Sequence, residues 1–515
     1  MSKALMIQGT GSGAGKSLIV TALCRIFRDR GFNVAPFKAQ NMALNSYISA
    51  EGGEMGRAQV LQAEAARVMP TVDMNPILLK ALGEKGSQVI IHGKVHSNMK
   101  AKEYYSFKRE AWKAVQESFG RLTRNYELII IEGAGSPAEI NLMDVDIVNM
   151  AVARHAGAPV ILVGDIDKGG VFASLYGTIE LLGEDNTYVK AFLINKFRGD
   201  LNILKPGLEM IKKKTGRPVI GVLPYISNIG LPEEDGLALQ KGSPLDVHRS
   251  KVETVKIVIV RLQYISNFTD FDPFFYEPDA ELIYSNYQAE IESANIVIIP
   301  GSKNTVKDLL FLKDNGLDES IKRACEKGVQ IIGICGGYQM LGKVIKDPYG
   351  VESHHKEIEG MGLLNIDTIF EKNKVTCQVD AELLPDFQSL VPYSLPPIRG
   401  YEIHMGESRG DIGLFKLTRF SLANTEYREK IEFCGSDDVI DGSRNGNCWG
   451  TYLHGIFDND QFRRCILNHA RGQKGLSSLH SEVNYAGVKD QAIDSLAAIV
   501  RENVDMDFIG KLLKL

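Results

Sequence analysis

Short apolar runs alternate with longer amphipathic stretches through the N-terminal half: Leu5–Gln8, Val34–Phe37, Leu128–Ile131, Val160–Val163, Ala191–Ile194 and Val219–Leu223. These runs are too short for helices and are bounded by Gly, Pro or Asp, which predicts buried strands of a mostly parallel α/β sheet. A polar stretch with Gly, Ser and Pro and no sustained period, "LQKGSPLDVHRSKVET", then interrupts the pattern. A second α/β series follows at Val255–Arg261, Ile296–Pro300, Val329–Ile334 and Trp449–Leu453. Near the end, Ile493, Leu496, Ile499 and Val500 share one helical face, predicting a terminal helix packed on the second domain. The expected organisation is an α/β domain over 1–240, a linker over 241–254, a second α/β domain over 255–480 and a helical tail over 481–515.

A chain of 515 residues is too long for one ordinary core, so the two series can carry separate chemistry. The net charge of −5 comes from interspersed acids and bases, which points away from nucleic acid and anionic membrane and towards small-molecule partners. Seven cysteines without a CxxC pair suit a reducing compartment and suggest neither a disulfide framework nor zinc. No segment reaches the roughly 18–20 apolar residues of a membrane span, and the expectation is a soluble cytoplasmic protein.

"GTGSGAGKS", Gly9 to Ser17, follows a predicted strand and precedes the helical pattern Leu18–Arg28, the context a phosphate-binding loop requires. The backbone N–H groups of Thr10, Gly11, Ser12, Gly13, Ala14 and Gly15 can converge on phosphate oxygens. Lys16 neutralises their charge, and the Ser17 hydroxyl can hold Mg²⁺. The first glycine sits one residue earlier than the strict motif asks, which makes the loop a longer variant. Glu132 ends a buried strand, where it either joins Ser17 on Mg²⁺ or serves as a capping acid. Asn195 in "FLINKFRGD" follows a strand and can read a base edge; Arg198 stands where a guanine reader needs Asp, so ATP is favoured over GTP. Asp165 and Asp167 are open between ligand and helix-cap roles.

The other candidate centre is "GICGGYQ". Cys335 ends an apolar run and is followed by Gly336, Gly337 and the helical pattern Tyr338–Val344. A nucleophile on a tight strand-to-helix turn needs such small neighbours, and the N–H after it can serve in an oxyanion hole. A base is then needed. His454 in "WGTYLHGIFDND" closes a short β-rich run, and His404 in "GYEIHMGES" is its rival. Gly301 in "IIPGSKNT" offers a second oxyanion N–H.

With Cys335, His454 and Gly301, the second domain resembles a class I glutamine amidotransferase. It departs from most of that class at Ile456, where a glutamate would orient the histidine; Glu402 is one substitute to consider. The departure matches the cobalamin-pathway branch. The stretches "VAPFKAQNMALNSYISAEGGEMGRAQ", "VDMNPILLK", "GSQVIIHGK", "IIIEGAGSPAEINL", "GDIDKGGVFASLYGT", "GYEIHMG" and "YLHGIFD" extend the likeness over nearly the whole chain. Together they resemble the cobyric acid synthases, glutamine-hydrolysing ligases whose P-loop half is similar to dethiobiotin synthetase.

The resemblance implies that Cys335 and His454 release ammonia from L-glutamine, with Gly301 and Gly336 holding the oxyanion. At the P-loop, ATP and Mg²⁺ on Lys16, Ser17 and Glu132 phosphorylate a corrinoid carboxylate, with Lys38 balancing the acyl-phosphate charge. The family amidates four side chains of adenosylcobyrinic acid a,c-diamide. Gln40, Asn41, Asn45 and Ser46 offer amide and hydroxyl groups to a corrinoid that already bears amides. Glu54 and Glu139 are either metal or corrinoid contacts or solvated turn acids. Two alternatives stand beside this expectation: a cobyrinic acid a,c-diamide synthase, and a P-loop regulatory ATPase with a non-catalytic amidotransferase-like module.

Overall fold

The structure is a computed structural model. It describes residues 2–82, 86–226, 229–231, 253–387, 391, 395–422, 431–433, 439–480 and 483–515, with the backbone alone at 421–422 and 431–433. The expected linker over 241–254 lies outside the described residues except at its last two positions.

Two compact α/β units divide the chain. The first comprises Met1–Ala43, Glu54–Leu231 and Lys489–Leu515. Its main sheet has six parallel strands in the spatial order Val219–Pro224, Val189–Phe197, Val160–Asp165, Lys3–Gly9, Leu128–Glu132 and Val34–Phe37. All six coincide with the apolar runs of the sequence. A parallel strand is buried on both faces, so it reads as a continuous apolar stretch. A smaller sheet, absent from the sequence reading, joins Gln40–Met42, Ile77–Ala81, Ser87–Ile91 and Lys94–Met99.

The second unit comprises Leu44–Gly53 and Pro232–Val488. Its first sheet runs in the order Ala280–Ser285, Val255–Val260, Ile296–Ile299, Gln330–Ile334, Cys448–Thr451 and Ser443–Asn445, parallel except for the last strand. A second, largely antiparallel sheet is built on the long strands Ile366–Leu383 and Ile398–Gly410, which the sequence reading did not pick out. Many inward positions along them are separated by polar ones, the pattern of a sheet buried on one face.

Two expectations are corrected. The helix after Cys335 spans Gly336–Leu341, not as far as Val344, because Gly342 leaves the helical region and Val344–Lys346 starts a strand. The terminal helix, Tyr485–Asn503, does not pack on the second domain as expected: from Lys489 onwards it belongs to the first unit. Ile493, Leu496, Ala497 and Val500 share a core with Leu5, Ile7, Leu23 and Phe27. The fully buried Arg25 guanidinium bonds Asp490 and Asp494 on the same helix. An amphipathic period shows that a helix packs, not against which core. Among the described residues, no helix is long and apolar enough to cross a membrane.

The tail's contribution to the first unit is measurable. Leu496 is buried, so Leu496→Ala is expected to lower stability by about 2–5 kcal/mol in denaturant unfolding. Ser495→Ala, on the exposed face, is expected to change it by less than about 0.5 kcal/mol.

Candidate functional site

In the second unit, three adjacent parallel strands end on the same chemistry. Ile296–Ile299 leads to Gly301, Gln330–Ile334 to Cys335, and Cys448–Thr451 to His454. The carboxyl ends of such strands are where open α/β sheets present reactive groups.

Cys335 sits at φ 50° and ψ −107°, a backbone conformation that L-residues rarely adopt. Such strain costs on the order of 1–3 kcal/mol and persists only where the surroundings impose it. Here they do. The Cys335 N–H donates to the Thr451 carbonyl at 2.9 Å, a Cβ on Gly337 would collide with the Ile299 carbonyl, and one on Gly336 would lie 2.9 Å from the Ser302 nitrogen. The glycines after the cysteine are therefore required by close backbone approach. A Cβ on Gly301 would lie 3.2 Å from the His454 ring, which places that glycine beside the histidine.

His454 is almost fully buried and its Nδ1 lies 2.6 Å from Asp270 Oδ2. Gly455 N–H donates to the other carboxylate oxygen at 3.3 Å. Nε2 makes no hydrogen bond among the described residues. Burial by itself would push the imidazolium towards deprotonation, but the Asp270 carboxylate and the Cys335 sulfur outweigh it and raise the His454 pKa to about 10. Asp270 thus sets a carboxylate against His454 Nδ1 where the sequence has Ile456 and no glutamate two residues downstream.

The sequence reading missed Asp270. It lies on a 3₁₀ helix, Phe268–Tyr276, whose Phe268, Phe271 and Phe274 recur every three residues and are buried. That period in "NFTDFDPFF" was the available signal. Glu402 is no substitute: it bonds Arg419 and sits 3.3 Å from His404 Nε2. Burial would raise the Glu402 pKa, yet these partners hold it down at about 2. His404 is likewise committed, with Nδ1 2.7 Å from the Gly406 carbonyl and its ring stacked on Tyr452.

In the first unit, the loop from Thr10 to Gly15 leads into the helix Lys16–Asp29. Gly15 adopts φ 95°, and a Cβ there would strike the Asn195 amide. Lys16 Nζ donates to the carbonyls of Gly11 (3.0 Å) and Gly135 (3.2 Å). The buried Glu132 collects three donors: Ser17 Oγ at 2.9 Å, Lys38 Nζ at 2.8 Å and Gln62 Nε2 at 2.5 Å. Ser17, Lys38 and Glu132 are therefore one cluster, and Gln62 is a member the sequence did not reveal. The Ser17 hydroxyl and the Glu132 carboxylate are hard oxygen donors of the kind Mg²⁺ accepts alongside phosphate, so these residues fit that ion.

Other expected residues have different partners. Asn195, expected at a base edge, donates through Nδ2 to the Ala14 carbonyl at 2.8 Å and accepts from Lys196 N–H, so its amide shapes the loop. Asp165 pairs with Lys196, and Asp167 with Arg198. Glu54 pairs with the buried Lys80 at 2.9 Å. Gln40 accepts from the Tyr104 hydroxyl, Asn41 donates to Gln59, and Glu139 is exposed in a turn. Asn45 and Ser46 fall in the second unit. Asn45 Oδ1 accepts from Phe268 N–H at 3.0 Å, and Ser46 N–H donates to Asn267 Oδ1 at 3.1 Å.

Comparison with known proteins agrees with this division. Residues 5–239 match the CobQ/CobB/MinD/ParA nucleotide binding domain, and residues 256–462 match the CobB/CobQ-like glutamine amidotransferase domain. A cobyric acid synthase from Thermodesulfovibrio yellowstonii is 47% identical over 515 residues, covering 99% of each chain. One from Caldanaerobacter subterraneus subsp. tengcongensis is 48% identical over 522 residues, covering 100% of this chain and 99% of its own. One from Clostridium botulinum is 48% identical over 512 residues, covering 99% of each. The likeness runs through both units and the segments that join them, and the chain belongs to the cobyric acid synthase family, ligases that carry a glutamine amidotransferase domain.

Proposed function

We propose that the chain amidates the b, d, e and g carboxylates of adenosylcobyrinic acid a,c-diamide, using ammonia released at Cys335 and carboxyl phosphates made at the P-loop. The observation that carries this reading is the buried Asp270–His454 pair beside a cysteine on a strained turn, in a chain similar to cobyric acid synthases from end to end.

At the second unit, the Cys335 thiolate attacks the carboxamide carbon of glutamine, with the protonated His454 as its counter-charge. The oxyanion that forms accepts hydrogen bonds from the Gly301 and Gly336 N–H groups. His454 gives its proton to the leaving nitrogen, ammonia departs, and a thioester remains. Water, deprotonated by His454, then attacks the thioester carbon, which expels the Cys335 thiolate, releases glutamate and leaves His454 protonated again.

At the first unit, the loop amides and Lys16 hold the ATP phosphates. Mg²⁺, when bound, supplies charge neutralisation on the β- and γ-phosphates, and Ser17 and Glu132 are the residues that would hold it. A propionate carboxylate of the corrinoid attacks the γ-phosphorus, ADP leaves, and Lys38 balances the charge of the acyl phosphate. Ammonia then attacks the acyl carbon and phosphate leaves. Phosphorylation is needed because hydroxide is a poor leaving group at neutral pH. Ammonia must reach the acyl phosphate before it gains a proton, since ammonium has no lone pair to attack with.

Cys335→Ser is expected to abolish glutamine-dependent amidation while retaining amidation driven by free ammonia; Lys16→Ala is expected to lose both. Equal loss of ammonia-driven activity in the two variants would contradict this division of labour. Offering cobyrinic acid and its a,c-diamide side by side, with products resolved by mass, tests the acceptor; amidation at a and c alone would move the reading to the a,c-diamide synthase step. Asp270→Asn removes the charge that favours the imidazolium while the opposing burial stays, so the His454 pKa falls. The alkaline limb of kcat/KM for glutamine should then move from near about 10 towards the ordinary histidine range of about 6.5. Activity at neutral pH should drop by about 10²–10⁴-fold.

A further inference from the structure

Residues Leu44–Gly53 come from the N-terminal sequence but belong to the second unit, so the chain leaves the first unit after Ala43 and resumes it at Glu54. This strap is fastened along its length. Besides the Asn45 and Ser46 bonds already described, the Tyr401 hydroxyl donates to the Ser46 carbonyl at 3.2 Å and the Thr376 hydroxyl to the Gly52 carbonyl at 2.8 Å, while the Gln378 amide donates to the Ile48 carbonyl. The Tyr47 ring stands edge-on to Tyr401 at 5.1 Å, and Ile48 is buried with Tyr401 and Ile403.

Two of the side chains that grip the strap also touch the base. The Tyr401 ring lies nearly parallel to His454, with centroids 5.3 Å apart and planes at 16°. Asn267 Nδ2 lies 3.1 Å from the Tyr401 hydroxyl and 3.4 Å from His454 Nδ1. A backbone N–H can only donate, so the bond from Ser46 requires the Asn267 oxygen to face the strap and its amino group to donate to the Tyr401 hydroxyl; His454 Nδ1, whose proton goes to Asp270, offers that amino group no lone pair. Asn267 is held at φ 52°, in the left-handed region, at the start of the 3₁₀ helix that carries Asp270.

We propose that the Leu44–Gly53 strap is the positioning element of the glutaminase base: once seated, it orients Asn267 and Tyr401 so that His454 keeps Nδ1 on Asp270 and leaves Nε2 for Cys335. Asn45, Ser46, Asn267 and Tyr401 are thus positioning residues acting through His454. The inference rests on the Cys335–His454 reading above. Both ends of the strap continue into the chain of the P-loop unit, so alignment of the base is tied covalently to the half that prepares the acceptor. Corrinoid contacts expected at Asn45 and Ser46 are replaced, on this assignment, by a role in glutamine hydrolysis.

The test compares the full-length parent, Asn45→Ala, Tyr401→Phe and Cys335→Ser for glutamate release across pH. Among the described residues, the ionisable side chains against the His454 ring are Asp270, Cys335 and Tyr401, and Tyr401→Phe keeps the stacked ring while removing the hydroxyl. Asn45→Ala and Tyr401→Phe are both expected to lose about tenfold in kcat with KM for glutamine within about twofold. Their alkaline limb should move to lower pH, because a ring held less firmly against Asp270 loses part of what favours its charge. A merely structural role would lower the active fraction without moving that limb. Parental kcat and limb in Tyr401→Phe, or a loss confined to KM, would overturn the proposal. Cys335→Ser sets the baseline. A parent no faster than that variant takes down the thiol reading and the strap proposal together, whereas a faster parent with Asn45→Ala and Tyr401→Phe unaffected removes only the latter.

Discussion

The second unit depends on one contact, the 2.6 Å approach of Asp270 to His454 inside the protein. A buried imidazolium and a buried carboxylate each lose several kcal/mol of hydration, and their attraction compensates only if the geometry is held closely. Much of the surrounding structure can be read as the means of holding it. The 3₁₀ helix carrying Asp270 is pinned by three buried phenylalanines. The strand before His454 is hydrogen-bonded into the parallel sheet, and the buried Asp441 bonds both the Thr451 hydroxyl and the Tyr452 N–H next to it.

Cys335 is held by different means. It keeps its unfavourable conformation beside close backbone packing: neighbouring main chain comes so near Gly336 and Gly337 that a Cβ at either would collide or crowd it. The cysteine is held mainly by close backbone packing and the histidine mainly by a carboxylate, and the two meet through the Cys335 sulfur, which also favours the charged His454 ring.

The P-loop unit repeats the logic with other parts. Glu132 ends a central strand and gathers Ser17, Lys38 and Gln62. The loop is braced from outside by Asn195 and Lys196, both of which donate to loop carbonyls. In both units the chemistry stands at the carboxyl ends of parallel strands, where helix starts and loop amides converge.

The sequence by itself determined the features whose cause is local. The parallel strands were legible because burial on both faces leaves an apolar run. The phosphate loop and the Cys335 turn were legible because glycines mark places where backbone must come close. His454 stood out by ending a strand. Tertiary structure alone decided what lies opposite those groups. Asp270 meets His454 across a long stretch of chain, the terminal helix joins the first core instead of the second, and Asn45 and Ser46 lie in the second unit beside Asn267. Periodicity reports which side of an element is buried. The partner on that side is chosen by complementary shape and charge summed over distant segments, which no local pattern records.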